Sequence, residues 1–323
     1  MKRIGLIGAG VMGAEHARLL QEEISGVCLV AVSDSRADQA SRTAKGARVY
    51  ADPLELINSP DVDAVVIASP DATHAPFTRA CIGTRKRVLV EKPLAPNAAE
   101  CLAVVAEEVA GGVPLVTVGY MRRFDAAYGA MKAARLSGAI GRTFLLHNIH
   151  RNVAAPDWFT GAMAITNSFV HEIDISRYLL DDEVNSAQVV EAPAGGPILI
   201  TMKTRLGFIV SSEVNINARY GYHVHAQLVG SEGTVEMAPL ATIITNSNLQ
   251  SGHTYPENWV PRFADAYRTQ MQQWVAALET GERVGASAWD GYASTAIAET
   301  IAVNRRRREW IAIDLCDKPA FYN

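Results

Sequence analysis

The sequence predicts a doubly wound parallel α/β domain followed by an α+β domain with a mainly antiparallel sheet. Three observations lead there. From Lys2 to about Gly119, short runs rich in Val, Ile and Leu alternate with helix-like segments; the rhythm changes after Gly119; and hairpin-like patterns follow in the second half. At roughly 150 residues per domain, a chain of 323 residues suits two domains, expected at 1–119 and 120–323.

The six strand candidates of the first domain are RIGLIG, VCLVAVSD, ARVYAD, DAVVIAS, KRVLVEKP and PLVTVGY. Several are continuously apolar instead of alternating, which suits parallel strands covered by helices on both faces. After Gly119, a helix-like stretch from Asp125 to Leu136 precedes the strand candidate TFLLHNIHRN and an irregular loop containing Pro156 and Gly161. PILITMKT and FIVSSEVNI flank Leu206-Gly207 as a hairpin would, and YHVHAQLV is followed by Ser231, Glu232 and Gly233 at a turn before TVEM. Amphipathic helices from about Arg262 to Thr280 and Trp289 to Arg307 are expected to cover one face of this sheet, leaving the other for a partner subunit or for substrate.

Composition narrows the function classes. Hydrophobic residues make up 49% and charged residues 20%, the mix of a folded chain. Thirty Lys and Arg against 34 Asp and Glu give a formal charge of -4, which argues against a general nucleic-acid or anionic-membrane binder and points to small-molecule partners. Cys28, Cys81, Cys101 and Cys316 show no Cys-x-x-Cys spacing, so neither a disulfide framework nor a zinc site is expected. The opening MKRIGLIGAGVMG runs directly into the strand-helix pattern, and no apolar stretch reaches the ~18 residues of a membrane span. A soluble cytoplasmic protein with reduced thiols is the expectation.

The first chemical motif is Gly8-Ala9-Gly10-Val11-Met12-Gly13, after the strand RIGLI and at the start of a helix through His16 and Leu20. The first glycine permits the tight turn, the second lets a pyrophosphate approach the backbone, and the third lets helix and strand pack closely. Asp34, 21 residues beyond Gly13, stands where a carboxylate can accept hydrogen bonds from both adenosine ribose hydroxyls. Strand, glycines, helix and acid together predict a dinucleotide instead of an ordinary turn with a surface Asp. Asp34 would repel a 2'-phosphate, so NAD is predicted over NADP, with Arg36 softening the preference.

The second motif is Glu91-Lys92-Pro93 at the end of KRVLV, the edge where open parallel sheets place ligands. A lysine there can hydrogen-bond a substrate hydroxyl and stabilise a developing alkoxide; a surface lysine at a strand end is the plainer alternative. The third lies in NSFVHEID, residues 167–174, which reads as an amphipathic helix. Asn167, His171 and Asp174 stand at i, i+4 and i+7 and so share a face, and a histidine there can take a proton near neutral pH. The alternative is a structural histidine satisfied by Asp174 three residues on.

Other signals carry less. Glu172 after His171 does not make a His-Glu-x-x-His zinc pattern, because Ile175 occupies the place of the second histidine. His223 and His225 share a strand face without an evident third ligand, so no metal is predicted. Arg305 to Arg308 suits a helix C-terminus. Trp158, Trp259 and Trp274 read as packing residues, Trp158 lying in a loop that could close over substrate.

Taken together, GAGVMG, Asp34, Ser69-Pro70 with Thr73-His74, Glu91-Lys92-Pro93, GYMRRFD (119–125), His150-Arg151-Asn152 and His171-Glu172-Ile173-Asp174 resemble the glucose-fructose oxidoreductase, inositol dehydrogenase and MocA (Gfo/Idh/MocA) family. Tyr220-Gly221-Tyr222, VGSEGTV (229–235), Arg262-Phe263 with Ala266-Tyr267, and Asp290-Gly291-Tyr292 are similar to its second domain, and the nearest likeness is to its inositol 2-dehydrogenase branch. The resemblance implies a Rossmann domain followed by an open antiparallel sheet, substrate between the domains, and a homo-oligomer, dimer or tetramer, formed through those sheets. It implies that Ser35, Arg36, Ser69, Pro70, His74 and Glu91 join Gly8 to Gly13, Asp34 and Lys92 around NAD. Lys92 and His171 become the proton-handling pair, and Arg122, Asn152, Asp174 and Tyr222 would hold hydroxyls of a polyol ring. The activity implied is NAD-dependent oxidation of a secondary alcohol on a cyclic polyol, myo-inositol foremost. A keto-sugar reductase working in the other direction and a catalytically silent dinucleotide-binding regulator are the alternatives. One departure stands out: the family's active-site Asp four residues before the histidine falls on Asn167, an amide that cannot supply negative charge to an imidazolium.

Overall fold

The computed structural model describes residues 1–238 and 243–323. The chain begins with β1 (Lys2–Ile7), α1 (Val11–Glu22), β2 (Val27–Ser33), α2 (Ala37–Ala44), β3 (Arg48–Tyr50), α3 (Pro53–Asn58), β4 (Ala64–Ile67), α4 (His74–Gly83), β5 (Arg87–Val90), α5 (Ala98–Gly111) and β6 (Val116–Val118). The six strands form one all-parallel sheet in the order β3-β2-β1-β4-β5-β6, built from the six predicted apolar runs. All four residues of β4, Ala-Val-Val-Ile, are buried, as a strand covered on both faces requires. Caps set the helix starts: Asp52 accepts from the Leu54 N–H with Pro53 in the first turn of α3, and Asn97 accepts from the Glu100 N–H at α5. Strand order reverses between β1 and β4, the switch point at whose carboxyl edge such sheets bind ligands.

The second half contains α6 (Ala126–Leu136), β7 (Thr143–Arg151), a short turn α7 (Gly161–Met163), a π-helical turn at Ala164–Phe169, α8 (Val170–Leu180), β8 (Val184–Glu191), β9 (Ile198–Thr204), β10 (Ile209–Asn215), β11 (His223–Gly230), β12 (Thr234–Glu236), the small hairpin β13 (Thr245–Ser247) and β14 (Gln250–Gly252), and α9 (Trp259–Arg262). It is followed by α10 (Ala264–Thr280), α11 (Ala288–Asn304) and β15 (Ile311–Ala312). A seven-stranded sheet runs β12-β11-β7-β10-β9-β8-β15. Both predicted hairpins are present, β9 with β10 and β11 with β12, and Gly207 supplies the positive φ (91°) that the first turn needs. One pair, β7 with β10, is parallel, because the chain leaves β7 through a helical crossover and not a hairpin. Alternation along β7 buries Leu146, Asn148 and His150. On the opposite face Leu199 and Ile209 are 51% and 42% exposed.

The chain separates into two compact units, residues 1–121 with 265–296 and 316–323, and residues 122–264 with 297–315. The first unit is therefore discontinuous in sequence. This corrects the expectation that the helix near Arg262–Thr280 covers the antiparallel sheet: from Asp265 onward α10 belongs with the parallel one. The reason is edge pairing and burial. The Val118 N–H donates to the Ala286 carbonyl at 2.8 Å, extending the sheet beyond β6. The Arg87 guanidinium donates to the carbonyls of Gly281 and of Glu282, and Trp274 and Trp289 are 1% and 2% exposed. Trp274 thus packs as predicted, whereas Trp158 is 67% exposed. The last residues fold back too: the Tyr322 hydroxyl donates to Glu108 Oε2 at 2.6 Å, and Arg283 stacks on Phe321 at 4.4 Å. Among the described residues, no helix is long and apolar enough to cross a membrane.

Candidate functional site

In the first unit the glycine motif forms the turn between β1 and α1. Gly8 has φ +91°, and a Cβ there would lie 2.5 Å from the Ala68 carbonyl group; a Cβ on Gly13 would lie 2.0 Å from the Gly8 oxygen. A Cβ on Gly10 would meet nothing within 4 Å. The outer glycines are thus required by packing, while the middle one keeps open space beside the backbone. Gly10 caps α1 without a side-chain hydrogen bond and no acid lies in its first turn, so the helix dipole there favours an anion. Asp34, at the end of β2, accepts from the Ala9 N–H through Oδ2 (2.7 Å) and from the Arg36 N–H through Oδ1 (2.8 Å). Each oxygen keeps a second lone pair for a ribose hydroxyl. This cradle fits a dinucleotide: space at Gly10, a helix start without a side-chain cap, and a fixed carboxylate one strand away. Ser35 and Arg36 are exposed beyond it.

Lys92 follows β5 at the carboxyl edge of the same sheet and is joined to Pro93 by a cis peptide bond. The side chains of its neighbours are held by the protein. Glu91, expected against the cofactor, is 8% exposed with Oε1 2.8 Å from His16 Nε2. Burial works to raise its pKa, but the His16 hydrogen bond and the charges of His16, Lys92 and His74 outweigh that and hold it below the ordinary carboxylate value. His74, likewise expected at the cofactor, is 1% exposed, with Nδ1 2.7 Å from the Pro93 carbonyl oxygen and Nε2 2.8 Å from that of Ser69. Both side chains face the protein's own interior, because a buried polar group must take the partners at hand. Ser69 Oγ shares a 2.6 Å hydrogen bond with Thr73 Oγ1, which ties the loop after β4 where Pro70 is exposed.

In the second unit the site candidates gather on and around α8. His171 and Asp174 lie in the helix and are 8% and 1% exposed; Asn167 lies in the preceding π-helical turn. A single α-helix through residues 167–174 was expected, and the wider turn breaks that register, a feature frequent at functional sites. The Thr166 hydroxyl donates to Asn167 Oδ1 at 2.9 Å. Asp174 is bound by Arg123 through two hydrogen bonds, 2.6 and 3.0 Å. Arg122, expected to hold substrate, is 1% exposed and donates to Glu172 Oε1. Glu172 Oε2 lies 2.9 Å from His150 Nδ1. Burial opposes both charges of this pair, and their mutual attraction overrides it, raising the Arg122 pKa and lowering that of Glu172. His150 packs edge-on against Tyr222 (5.8 Å between ring centres) and against His171 (6.4 Å). Tyr222 is 3% exposed, and burial pushes its phenol pKa up. Asn152, just past β7, is half-buried, its N–H donating to the Asn215 carbonyl.

The second unit therefore brings His171, Asp174, Arg122 and Tyr222 into one buried neighbourhood, where Arg122 pairs with Glu172 and Asp174 with Arg123. Sequence reasoning missed His150 and Glu172. A usable signal existed: His150 falls on the buried parity of β7 and Glu172 on a helix buried on all sides, positions where polar groups need charged partners.

Comparison with known proteins sharpens what this arrangement is. Residues 2–120 match the oxidoreductase family with an NAD-binding Rossmann fold, and residues 128–236 match the GFO/IDH/MocA C-terminal domain. The chain is 44% identical to inositol 2-dehydrogenase 1 of Saccharopolyspora erythraea, covering 99% of this chain and 98% of that protein. It is 41% identical to inositol 2-dehydrogenase of Acidothermus cellulolyticus, covering 99% and 97%. Its fold superposes on a myo-inositol dehydrogenase from Lactobacillus casei, solved in complex with NAD(H) and myo-inositol, with TM-score 0.95 and 30% identity over all of both chains.

Proposed function

Because the chain belongs to the Gfo/Idh/MocA oxidoreductase family, we propose that it oxidises a secondary hydroxyl of a cyclic polyol with NAD, and that the polyol is myo-inositol, attacked at its 2-position. The observation that carries this reading is full-length likeness to inositol 2-dehydrogenases, supported by a nucleotide cradle in one unit and a buried histidine helix in the other.

The backbone at Gly10 and the start of α1 would hold the pyrophosphate, and Asp34 would accept from the adenosine ribose, with Ser35, Arg36, Ser69 and Pro70 beside the nucleotide. When bound, NAD supplies the hydride acceptor. His171 accepts the hydroxyl proton as general base, and the Lys92 ammonium donates a hydrogen bond to the same oxygen as alkoxide character develops. Asn152 and Tyr222 hold ring hydroxyls, while Arg122 and Asp174 act through the protein: Arg122 fixes Glu172 and His150, and Asp174 fixes Arg123 beside the helix that carries His171. Residues 1–119 thus hold the nucleotide and 120–323 the substrate.

The test is absorbance at 340 nm with NAD and a panel of inositols, hexoses and keto-sugars. Rapid growth of signal with myo-inositol is expected; tight NAD binding without turnover on any polyol, or consumption of NADH with keto-sugars alone, would overturn the reading. Asn167→Asp should move the acid limb of the pH–rate profile to higher pH, because a carboxylate favours the imidazolium form of His171; an unchanged profile removes Asn167 from the mechanism.

The protein assembles through the open face of its seven-stranded sheet, where Leu199 and Ile209 expose apolar side chains. Light scattering should report a dimer or tetramer that Leu199→Glu with Ile209→Glu dissociates. Four cysteines without a disulfide between them suit a reducing cytoplasm, which cell fractionation checks.

A further inference from the structure

Two buried histidines that take no part in the proton transfer converge on the segment carrying Lys92. His16 reaches from α1 to Glu91 Oε1 (2.8 Å), and Glu91 Oε2 accepts from the backbone N–H of Lys92 at 3.3 Å. The other wall of that carboxylate is Gly119, where a Cβ would lie 3.0 Å from Glu91 Oε2. The Glu91 N–H donates to the Ile67 carbonyl at 2.8 Å, so backbone and side chain are both fixed. On the far side of the lysine, the His74 ring at the start of α4 lies between the Pro93 carbonyl oxygen (2.7 Å from Nδ1) and the Ser69 carbonyl oxygen (2.8 Å from Nε2). Ser69 follows β4 and Pro93 follows β5, so one imidazole spans the ends of two adjacent strands.

We propose that His16 and His74 are positioning residues for the Lys92 ammonium, locking the residues immediately before and after it so that the chain can aim the lysine at the substrate oxygen. This rests on the reading of Lys92 given above. The physical need is plain: a lysine stem has four rotatable carbons and a point-charge head, so its aim is only as good as the backbone from which it starts. Misplacement by about 1 Å can cost roughly 100-fold in rate. A leucine at position 74 fills the space and bridges neither carbonyl; a glutamine donates to one. His74 has both ring nitrogens within hydrogen-bond distance of the Pro93 and Ser69 carbonyl oxygens, and His16 meets Glu91 through Nε2.

The experiment compares Lys92→Ala, His74→Leu, His74→Gln, His16→Leu and the double variant Lys92→Ala/His74→Leu in the full-length protein, measuring kcat with myo-inositol and NADH affinity by fluorescence titration. His74→Leu should lower kcat by about 100-fold while NADH affinity stays within about threefold, and His74→Gln should recover about tenfold of that loss. His16→Leu should show the same split between kcat and affinity. The double variant should turn over no more slowly than Lys92→Ala alone, since a residue that acts through the lysine has nothing left to position. Should His74→Leu fail to fold, the kcat-against-affinity split of His74→Gln decides. The inference is overturned if kcat stays near wild type in the histidine variants, if NADH affinity falls in step with kcat, or if the double variant loses activity multiplicatively. Wild-type activity in Lys92→Ala would instead bring down the underlying role of Lys92, an outcome distinguishable from an inactive Lys92→Ala beside fully active histidine variants.

Discussion

The two units meet the same demand, a precisely held polar site, with opposite materials. The nucleotide cradle is made of main chain: two glycines that packing forbids to carry a side chain, one glycine that leaves room, and a helix start without a side-chain cap. The α8 neighbourhood is made of side-chain charge, two guanidinium–carboxylate pairs buried among aromatic rings. Glycine-built turns tolerate almost no change at their few glycines, and their main-chain groups do not titrate. Charge-built sites can be dismantled by removing a single partner, and they answer to acid.

The largest effect expected from this contrast is at Gly13. Gly13→Val puts a side chain into the Gly8 carbonyl and should abolish measurable NAD binding and depress folding, as seen by titration and thermal melting. Glu172→Gln comes next. Breaking a buried pair by removing one partner costs about 3–5 kcal/mol, read by urea unfolding at neutral pH. Its pH dependence is a second check: since the folded-state pKa of Glu172 is lowered, its contribution is full above the ordinary carboxylate range and fades as pH falls through the lowered value, so wild type and variant should converge in acid. Gly10→Ala is the informative contrast to Gly13→Val. Its Cβ meets open space, so melting should be nearly unchanged while NAD affinity falls about tenfold or more by crowding the pyrophosphate. The smallest effect lies at Glu108, whose pKa burial raises above the ordinary value. Its favourable contribution is present below the ordinary carboxylate pKa and is lost as pH rises through the raised one, so Glu108→Gln, which keeps an acceptor for the Leu115 and Val116 N–H groups, should flatten the stability curve between mildly acidic and neutral pH.

The same contrast explains what could be read from the sequence. All six parallel strands, both hairpins and the nucleotide turn were legible, because each is encoded by residues close together: apolar runs, turn residues, three glycines before a helix. Lys92 was legible as the end of a strand. The partners of Arg122 and Asp174 were not, since Arg122 meets Glu172 fifty residues away and Arg123 meets Asp174 fifty-one away, pairings that only the tertiary fold creates. The π-helical turn at Ala164–Phe169 was hidden because its residues have ordinary helical periodicity. The placement of α10 was missed because an amphipathic stripe says that a helix is buried, without saying on which sheet.

The clasp between Tyr322 and Glu108 has a consequence for biosynthesis. The parallel sheet is translated first, yet its compact unit also draws on residues 265–296 and 316–323. At a ribosomal pace of about 5–20 residues per second the nascent amino-terminal half spends many seconds with the edge beyond β6 unclosed and Glu108 lacking its phenol partner. The parallel sheet of the nucleotide-holding unit is therefore completed only once residues 316–323 have been made, and substitutions there should be felt in a sheet translated long before them.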